Sequence, residues 1–161
     1  MNEKGDEIKK IFNLAFNKHK SGYINEAKDL YKKILDVNPD HLEANFLLGT
    51  LYAQTKNFKS SIEHIDRSIL INPNMADAHN NLGLIYKELG LLDKAIECIN
   101  KSIEIDNKRP EFFINQGKTF YDLKKFEKSI NSFNRAIDIN HDNFEGYYLL
   151  GNSYFKVKKF D

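Results

Sequence analysis

The sequence predicts an all-α fold, an α-solenoid of stacked antiparallel helix pairs with four full 34-residue repeats and the first helix of a fifth. Three series of residues predict it. Gly49, Gly83, Gly117 and Gly151 stand 34 residues apart, each in a recurring frame: Leu48-Gly49-x-x-Tyr52, Leu82-Gly83-x-x-Tyr86, Gln116-Gly117-x-x-Phe120 and Leu150-Gly151-x-x-Tyr154. Small residues run in phase with them at Ala27, Ser61, Ala95 and Ser129. Prolines do the same at Pro39 and Pro73, then lapse to Asn107 and His141. So strict a period marks supersecondary units that cannot bury their apolar faces alone and must stack.

Placing the prolines at repeat position 32 puts the glycines at position 8 and divides a single array, residues 1–161, into repeats 8–41, 42–75, 76–109, 110–143 and a partial 144–161. The first helix of each repeat shows apolar or small residues at positions 4, 7, 8 and 11, as in Ile11, Leu14 and Ala15, or Phe113, Gly117 and Phe120. At about 100° per residue these share one face. The second helix repeats the pattern at positions 20, 24, 27 and 28: Ala27, Tyr31, Ile34 and Leu35, then Ala95, Ile99, Ser102 and Ile103. Small residues at positions 8 and 20 let two helix backbones approach closely. A helical glycine costs about 1 kcal/mol relative to alanine, so its return at one position argues that close packing outweighs the cost.

Turns punctuate the helices. Lys56-Asn57-Phe58, Leu89-Gly90-Leu91 and Lys124-Lys125-Phe126 separate helices within repeats, and Asn38-Pro39-Asp40 and Asn72-Pro73-Asn74 separate repeats. Proline ends one helix, and Asp40 or Asn74 is expected to cap the next. Pro110 suits the first turn of its helix, where no donor is needed.

Composition removes several function classes. A net charge of +1 gives no field that would favour nucleic acid or an anionic membrane. No apolar run approaches the roughly 18 residues of a membrane span. Met1–Lys10 is charged and has no apolar centre, so no secretory signal is read there. The lone Cys98 cannot staple the fold and fits a reducing compartment, so a cytoplasmic location and a semi-buried, inert thiol are expected. His19, His41, His64, His79 and His141 form no H-E-x-x-H pair and have no cysteine partners at zinc spacing. The repeated glycines sit singly in helices, which leaves no phosphate loop. No catalytic residue, metal or cofactor is expected. Lys124-Lys125 and Lys158-Lys159 read as turn residues, weak as signals for RNA or lipid.

In length, phase and residue type, residues 8–161 resemble the tetratricopeptide repeat, a 34-residue helix-turn-helix unit. There are departures. The large aromatic of position 4 is Ile11, Asn45, His79, Phe113 and Tyr147, Lys18 replaces the aromatic of position 11, and Gln116 replaces leucine. The resemblance implies a right-handed superhelix, a concave surface lined by the first helices, and binding of a protein or extended peptide there. It does not imply catalysis. Family members that bind chaperones hold a carboxylate with lysine at position 5; here that position is Phe12, Phe46, Asn80, Ile114 and Tyr148, so no such clamp is expected.

Positions 2, 5, 6, 9, 12 and 13 of the first helix point away from its packing face. Position 6 carries Asn13, Leu47, Asn81, Asn115 and Leu149. An asparagine amide can pair with a peptide backbone through both donor and acceptor, and this column resembles the asparagine ladder in the repeat arm of O-GlcNAc transferases. The alternative, that an asparagine-rich chain places them there by composition, stands beside it. Position 2 carries Glu43, Asp77, Glu111 and Glu145, which either favour basic partners or complement helix dipoles for about 0.3–1 kcal/mol each. Positions 5, 9 and 12 carry Phe12, Phe16, Phe46, Ile114, Tyr121, Tyr148 and Phe155, most of them expected to be at least half buried. The residues expected to meet a peptide are Asn13, Asn80, Asn81, Asn115, Asn152, Glu43, Asp77, Glu111, Tyr121 and Tyr148.

The last first-helix, with Leu150 and Tyr154, has no second helix after it in the sequence. Arrays normally close with a polar-faced cap, so a fragment of a longer protein is expected, or self-association through this uncapped end. Two functions follow: a binding scaffold, or the substrate-recruiting arm of a larger enzyme such as a glycosyltransferase.

Overall fold

The computed structural model describes residues 3–160, with side chains described for residues 4–158. They form α1 (Glu3–Lys20), α2 (Ile24–Val37), α3 (Leu42–Gln54), α4 (Phe58–Ile71), α5 (Ala76–Glu88), α6 (Leu92–Ile105), α7 (Pro110–Asp122), α8 (Phe126–Ile139) and α9 (Phe144–Phe160). No strand occurs among the described residues. The fold class is the expected one: four helix pairs and the first helix of a fifth. The chain divides into two compact units, Met1–Pro73 and Asn74–Asp161.

In the first unit α1 packs on α2, α2 on α3 and α3 on α4. Ala15, Ala27, Tyr31, Ile34, Ala44, Leu48 and Leu51 form its fully buried core. The period-34 glycine does what its position demands. A Cβ on Gly49 would lie 2.7 Å from Ile65 Cγ1, and the Ser61 hydroxyl donates to the Gly49 carbonyl at 2.7 Å. Asn45 replaces the position-4 aromatic with hydrogen bonds. Its amide donates to the Pro39 carbonyl at 2.8 Å and the His41 carbonyl at 3.1 Å, and its oxygen lies 3.1 Å from His64 Nδ1. The oxygen can only accept, so the proton sits on Nδ1. The His64 ring stacks on Tyr52, and burial lowers its pKa.

Three sequence expectations fail here. Leu14 is 49% exposed, because α1 packs on α2 and the side bearing Leu14 meets no other helix among the described residues. Asp40 does not cap α3. The N-cap is His41, whose Nδ1 accepts from the Ala44 amide at 3.3 Å; Asp40 instead pairs with Arg67. Asn74 does not cap α5 either, since the N-cap is Met75 and makes no side-chain cap bond.

In the second unit α5 through α9 pack each on the next, and α5 also touches α7, as α7 touches α9. Phe113, Ile114, Phe133 and Ala136 form one core, with Leu149 and Leu150 of α9 against it. A Cβ on Gly83 would lie 2.6 Å from Ile99 Cγ1, and one on Gly117 would enter the Phe133 ring. The Ser129 hydroxyl donates to the Gly117 carbonyl at 2.9 Å. Around Gly151 nothing lies within 4 Å of an added Cβ. Pro110 opens α7 as expected. The turn expected at Lys158-Lys159 is absent: α9 runs on to Phe160 because no second helix among the described residues folds back on it, and the Lys159 side chain lies outside those residues.

Each turn within a repeat has one residue of positive φ, at Gly22, Lys56, Gly90 and Lys124. Each closes its helix with the same bond pair: Lys56 N donates to Ala53 O and Asn57 N to Tyr52 O, both at 2.9 Å, and Lys124 and Lys125 repeat this on Tyr121 and Phe120. This is the Schellman closure, which places one residue in the left-handed region.

Candidate functional site

The first helices α5, α7 and α9 of the second unit line a cleft of about 190 Å³ bounded by Lys87, Lys118, Tyr121, Asp122, Phe133, Leu149 and Asn152. Six of these stand at repeat positions 6, 9, 12 or 13, the positions that the helical period turns away from each packing face. Phe133, from α8, lies beneath the cleft and is fully buried. The floor is thus an aromatic ring and Leu149. The Tyr121 ring forms a wall, held edge-on against Phe126 at 5.4 Å.

The rim is charged and balanced. Lys87 Nζ lies 3.0 Å from Asp122 Oδ2, and Lys118 Nζ lies 2.6 Å from Glu145 Oε1. Each pair ties one first helix to the next. A third tie stands at the α5–α7 N-termini, where Arg109 reaches Asp77 at 3.2 Å and also Glu111. The hydrogen bond to Glu111 and the Asp77 charge hold the Arg109 guanidinium protonated above its ordinary pKa. Its plane also lies 4.9 Å from the centre of the Phe112 ring.

The expected site residues separate into groups. Tyr121 and Asn152 line the cleft. Asn115 donates to Asn80 at 3.0 Å, so these two amides meet each other. Asn81 is partly buried. Asp77 and Glu111 share Arg109, and Glu145 takes Lys118. Tyr148 is 70% exposed and stands outside the cleft lining. Asn13 and Glu43 belong to the first unit. Asn13 is exposed there, and Glu43 lines a separate depression with Ile8, Lys9, Phe12 and His41.

Lys87, Lys118 and Asp122 were not singled out by sequence reasoning. Their signal was opposite charge across neighbouring repeats, position 9 against position 2 and position 12 against position 13. Of the position 5, 9 and 12 apolars, Phe12, Phe46, Ile114 and Tyr121 are buried or partly buried, while Phe16, Tyr148 and Phe155 are exposed. Among the described residues no three of His, Cys, Asp or Glu gather as metal ligands, and no helix is long and apolar enough to cross a membrane.

Comparison with known proteins agrees with the repeat. Tetratricopeptide repeat models match residues 19–74 and 76–108, and a TPR repeat model matches residues 117–158. No curated protein matches the sequence. Among solved structures, MamA is similar at 19% identity and a TM-score of 0.86, over 96% of this chain and 84% of that one. PilF of Pseudomonas aeruginosa is similar at 17% identity and a TM-score of 0.86, over 98% and 72%. YrrB, a TPR protein with an unusual peptide-binding site, is similar at 23% identity and a TM-score of 0.77, over 86% and 71%. At such identities the likeness is one of fold. The repeat models fall in succession along helix pairs of that same fold, and the chain belongs to the tetratricopeptide repeat family.

Proposed function

We propose that this chain is a protein-interaction scaffold whose second unit takes an extended peptide segment in the cleft over α5, α7 and α9. The observation that carries the reading is an apolar floor, Phe133 and Leu149, between two exchangeable ion pairs, Lys87–Asp122 and Lys118–Glu145. Surface pairs of this kind contribute about 0–1 kcal/mol. A partner's charges can therefore replace either member at small cost. An apolar side chain entering the floor gains about 25 cal/mol for each Å² removed from water. Asn152 offers a donor and an acceptor to the peptide backbone. The favoured segment has one aliphatic or aromatic side chain flanked by charged residues. The peptide-binding site of YrrB, a protein of similar fold, supports the reading.

The test is selection of binders from a peptide display library on the whole chain, followed by titration calorimetry. Tyr121→Ala and Asn152→Ala should each weaken the selected peptides about tenfold, which is about 1.4 kcal/mol. Asn13→Ala, in the other unit, should leave them unchanged. Peptides indifferent to Tyr121 and Asn152 would move the site elsewhere.

A further inference from the structure

Repeat four departs from the earlier repeats at three positions that meet in one place. At position 7, where they carry Leu14, Leu48 and Leu82, it has Gln116. At position 22, where they carry Asp29, Glu63 and Glu97, it has Asn131, and at position 23 Ser132 replaces Leu30, His64 and Cys98. With Phe120, Lys128 and Arg135 these three line a depression of about 210 Å³ between α7 and α8. Gln116 donates to the Asn100 side-chain oxygen at 2.7 Å and accepts from the Ser132 hydroxyl at 2.7 Å, so it ties α7 to both α6 and α8. The depression therefore sits within the array, against the preceding helix pair, and not at its end.

The exchange at position 22 changes the local charge. Position 26 is basic in all four full repeats, at Lys33, Arg67, Lys101 and Arg135. In the first three an acid stands four residues earlier on the same helix, where it offsets the cation. Asn131 removes that acid from α8. Arg67 also pairs with Asp40, and Lys101 with Glu104 at 3.0 Å. Arg135 has Asp138 at 3.9 Å, a long pair whose side chains are 62% and 65% exposed, and its guanidinium lies 6.0 Å from the centre of the Phe113 ring. Lys128 has no ion-pair partner among the described residues, and its ammonium lies 5.7 Å from the centre of the Phe120 ring.

This pattern selects an anionic occupant. Lys128 and Arg135 stand seven residues apart on one helix, about 10 Å along its axis. The exposed Asn131 lies between them and adds an amide donor. A guanidinium binds a carboxylate through two parallel hydrogen bonds, and an ammonium binds a second one as a point charge. Residues i and i+2 of an extended chain lie about 6.6 Å apart on one side, and acidic side chains there splay to reach both cations. Nucleic acid fits less well. Its affinity is built on many phosphate contacts, whereas here the cations are two and Asp138 stands beside one of them.

We propose that the depression between α7 and α8 is a second binding site, which takes an acidic segment of a partner protein with carboxylates two residues apart. Lys128 and Arg135 hold the two carboxylates, and Asn131 donates to the chain between them. At about 100° per residue Gln116 and Phe120 stand on the side of α7 opposite Lys118 and Tyr121. The site is thus separate from the cleft over α5, α7 and α9 and does not depend on it. Helix α7 is then shared by two segments, one on each side.

NMR titration of the isotope-labelled whole chain at low salt, with a synthetic heptapeptide alternating glycine and glutamate, tests it. Saturable shift changes should gather at Gln116, Lys128, Asn131 and Arg135. Asn131→Glu restores the acid of the other repeats and should raise the dissociation constant about tenfold or more, as should Arg135→Gln. Circular dichroism should show unchanged helicity for both, and if Asn131→Glu fails to fold, Arg135→Gln alone decides. Tyr121→Ala in the cleft, and Lys33→Gln, which removes one charge from the other unit, should leave the affinity unchanged. Three results would overturn the proposal: no saturable shifts at these residues, an affinity indifferent to Asn131→Glu and Arg135→Gln, or tighter binding of an oligonucleotide of equal charge, which would assign the site to nucleic acid.

Discussion

The side-chain amide of Asn115 donates to the side-chain oxygen of Asn80 at 3.0 Å, joining α7 to α5 one repeat apart. Asn80 is almost fully buried, so the bond is made away from water. Asn80→Ala and Asn115→Ala should each destabilise the chain, and the double variant should cost less than their sum. A double-mutant cycle by urea denaturation should give a coupling of about 0.5–1.5 kcal/mol. Strict additivity would mean the two amides do not share a bond in solution.

The period-34 glycines are not equivalent. Gly117→Ala drives a methyl into the Phe133 ring, and overpacking of this kind costs about 1–3 kcal/mol. Gly151→Ala meets open space and gains helix propensity of up to about 1 kcal/mol. Thermal melts of both variants should therefore shift in opposite directions.

Lys56 and Lys124 hold positive φ at the place where Gly22 and Gly90 stand in the other repeats. A side chain in the left-handed region costs roughly 1–2 kcal/mol. Lys56→Gly and Lys124→Gly should each raise stability by about 0.5–1 kcal/mol after the entropic penalty of glycine, and Gly90→Ala should lower it. Chemical denaturation reads both, and a destabilising Lys124→Gly would contradict the Schellman geometry.

The Tyr31 hydroxyl is buried with no hydrogen-bond partner among the described residues, and burial pushes its pKa from 10.0 up to about 12. The native state thus holds the phenolic proton more tightly than the unfolded chain. This contribution is complete below pH 10 and is lost as pH rises through about 12. Tyr31→Phe removes an unsatisfied polar group, which should raise stability at neutral pH by roughly 1 kcal/mol. It should also flatten the alkaline fall in a pH series of melting temperatures.

The helix pairs were legible because sterics repeats with the sequence: a glycine where Ile65, Ile99 or Phe133 must lie close leaves its mark at one interval. The turns were legible as turns except at Lys158-Lys159, where α9 runs on, and the left-handed residue within them could have been found by phasing Lys56 and Lys124 against Gly22 and Gly90. The caps were not, because a shift of one residue decides between Asp40 and His41, and a neighbouring arginine competes for the carboxylate. Asn45 read as drift from an aromatic, since its partners, Pro39, His41 and His64, come from a turn and from another helix. The acidic column at position 2 read as either dipole complement or partner site. Its neutralisation by Arg109 and Lys118 depends on distances between repeats that no local pattern states.

Within each unit every helix packs on its immediate neighbours, and the most distant substantial contacts, α5 with α7 and α7 with α9, skip a single helix. Such short-range wiring keeps contact order low, and chains of low contact order fold fast. It also confines damage. A lesion at Gly117 should open the α7–α8 pair while amides of the α5–α6 pair keep their protection against hydrogen exchange. The stability of each unit is then a profile along the chain, with the least-neighboured helices fraying first and the middle pairs last.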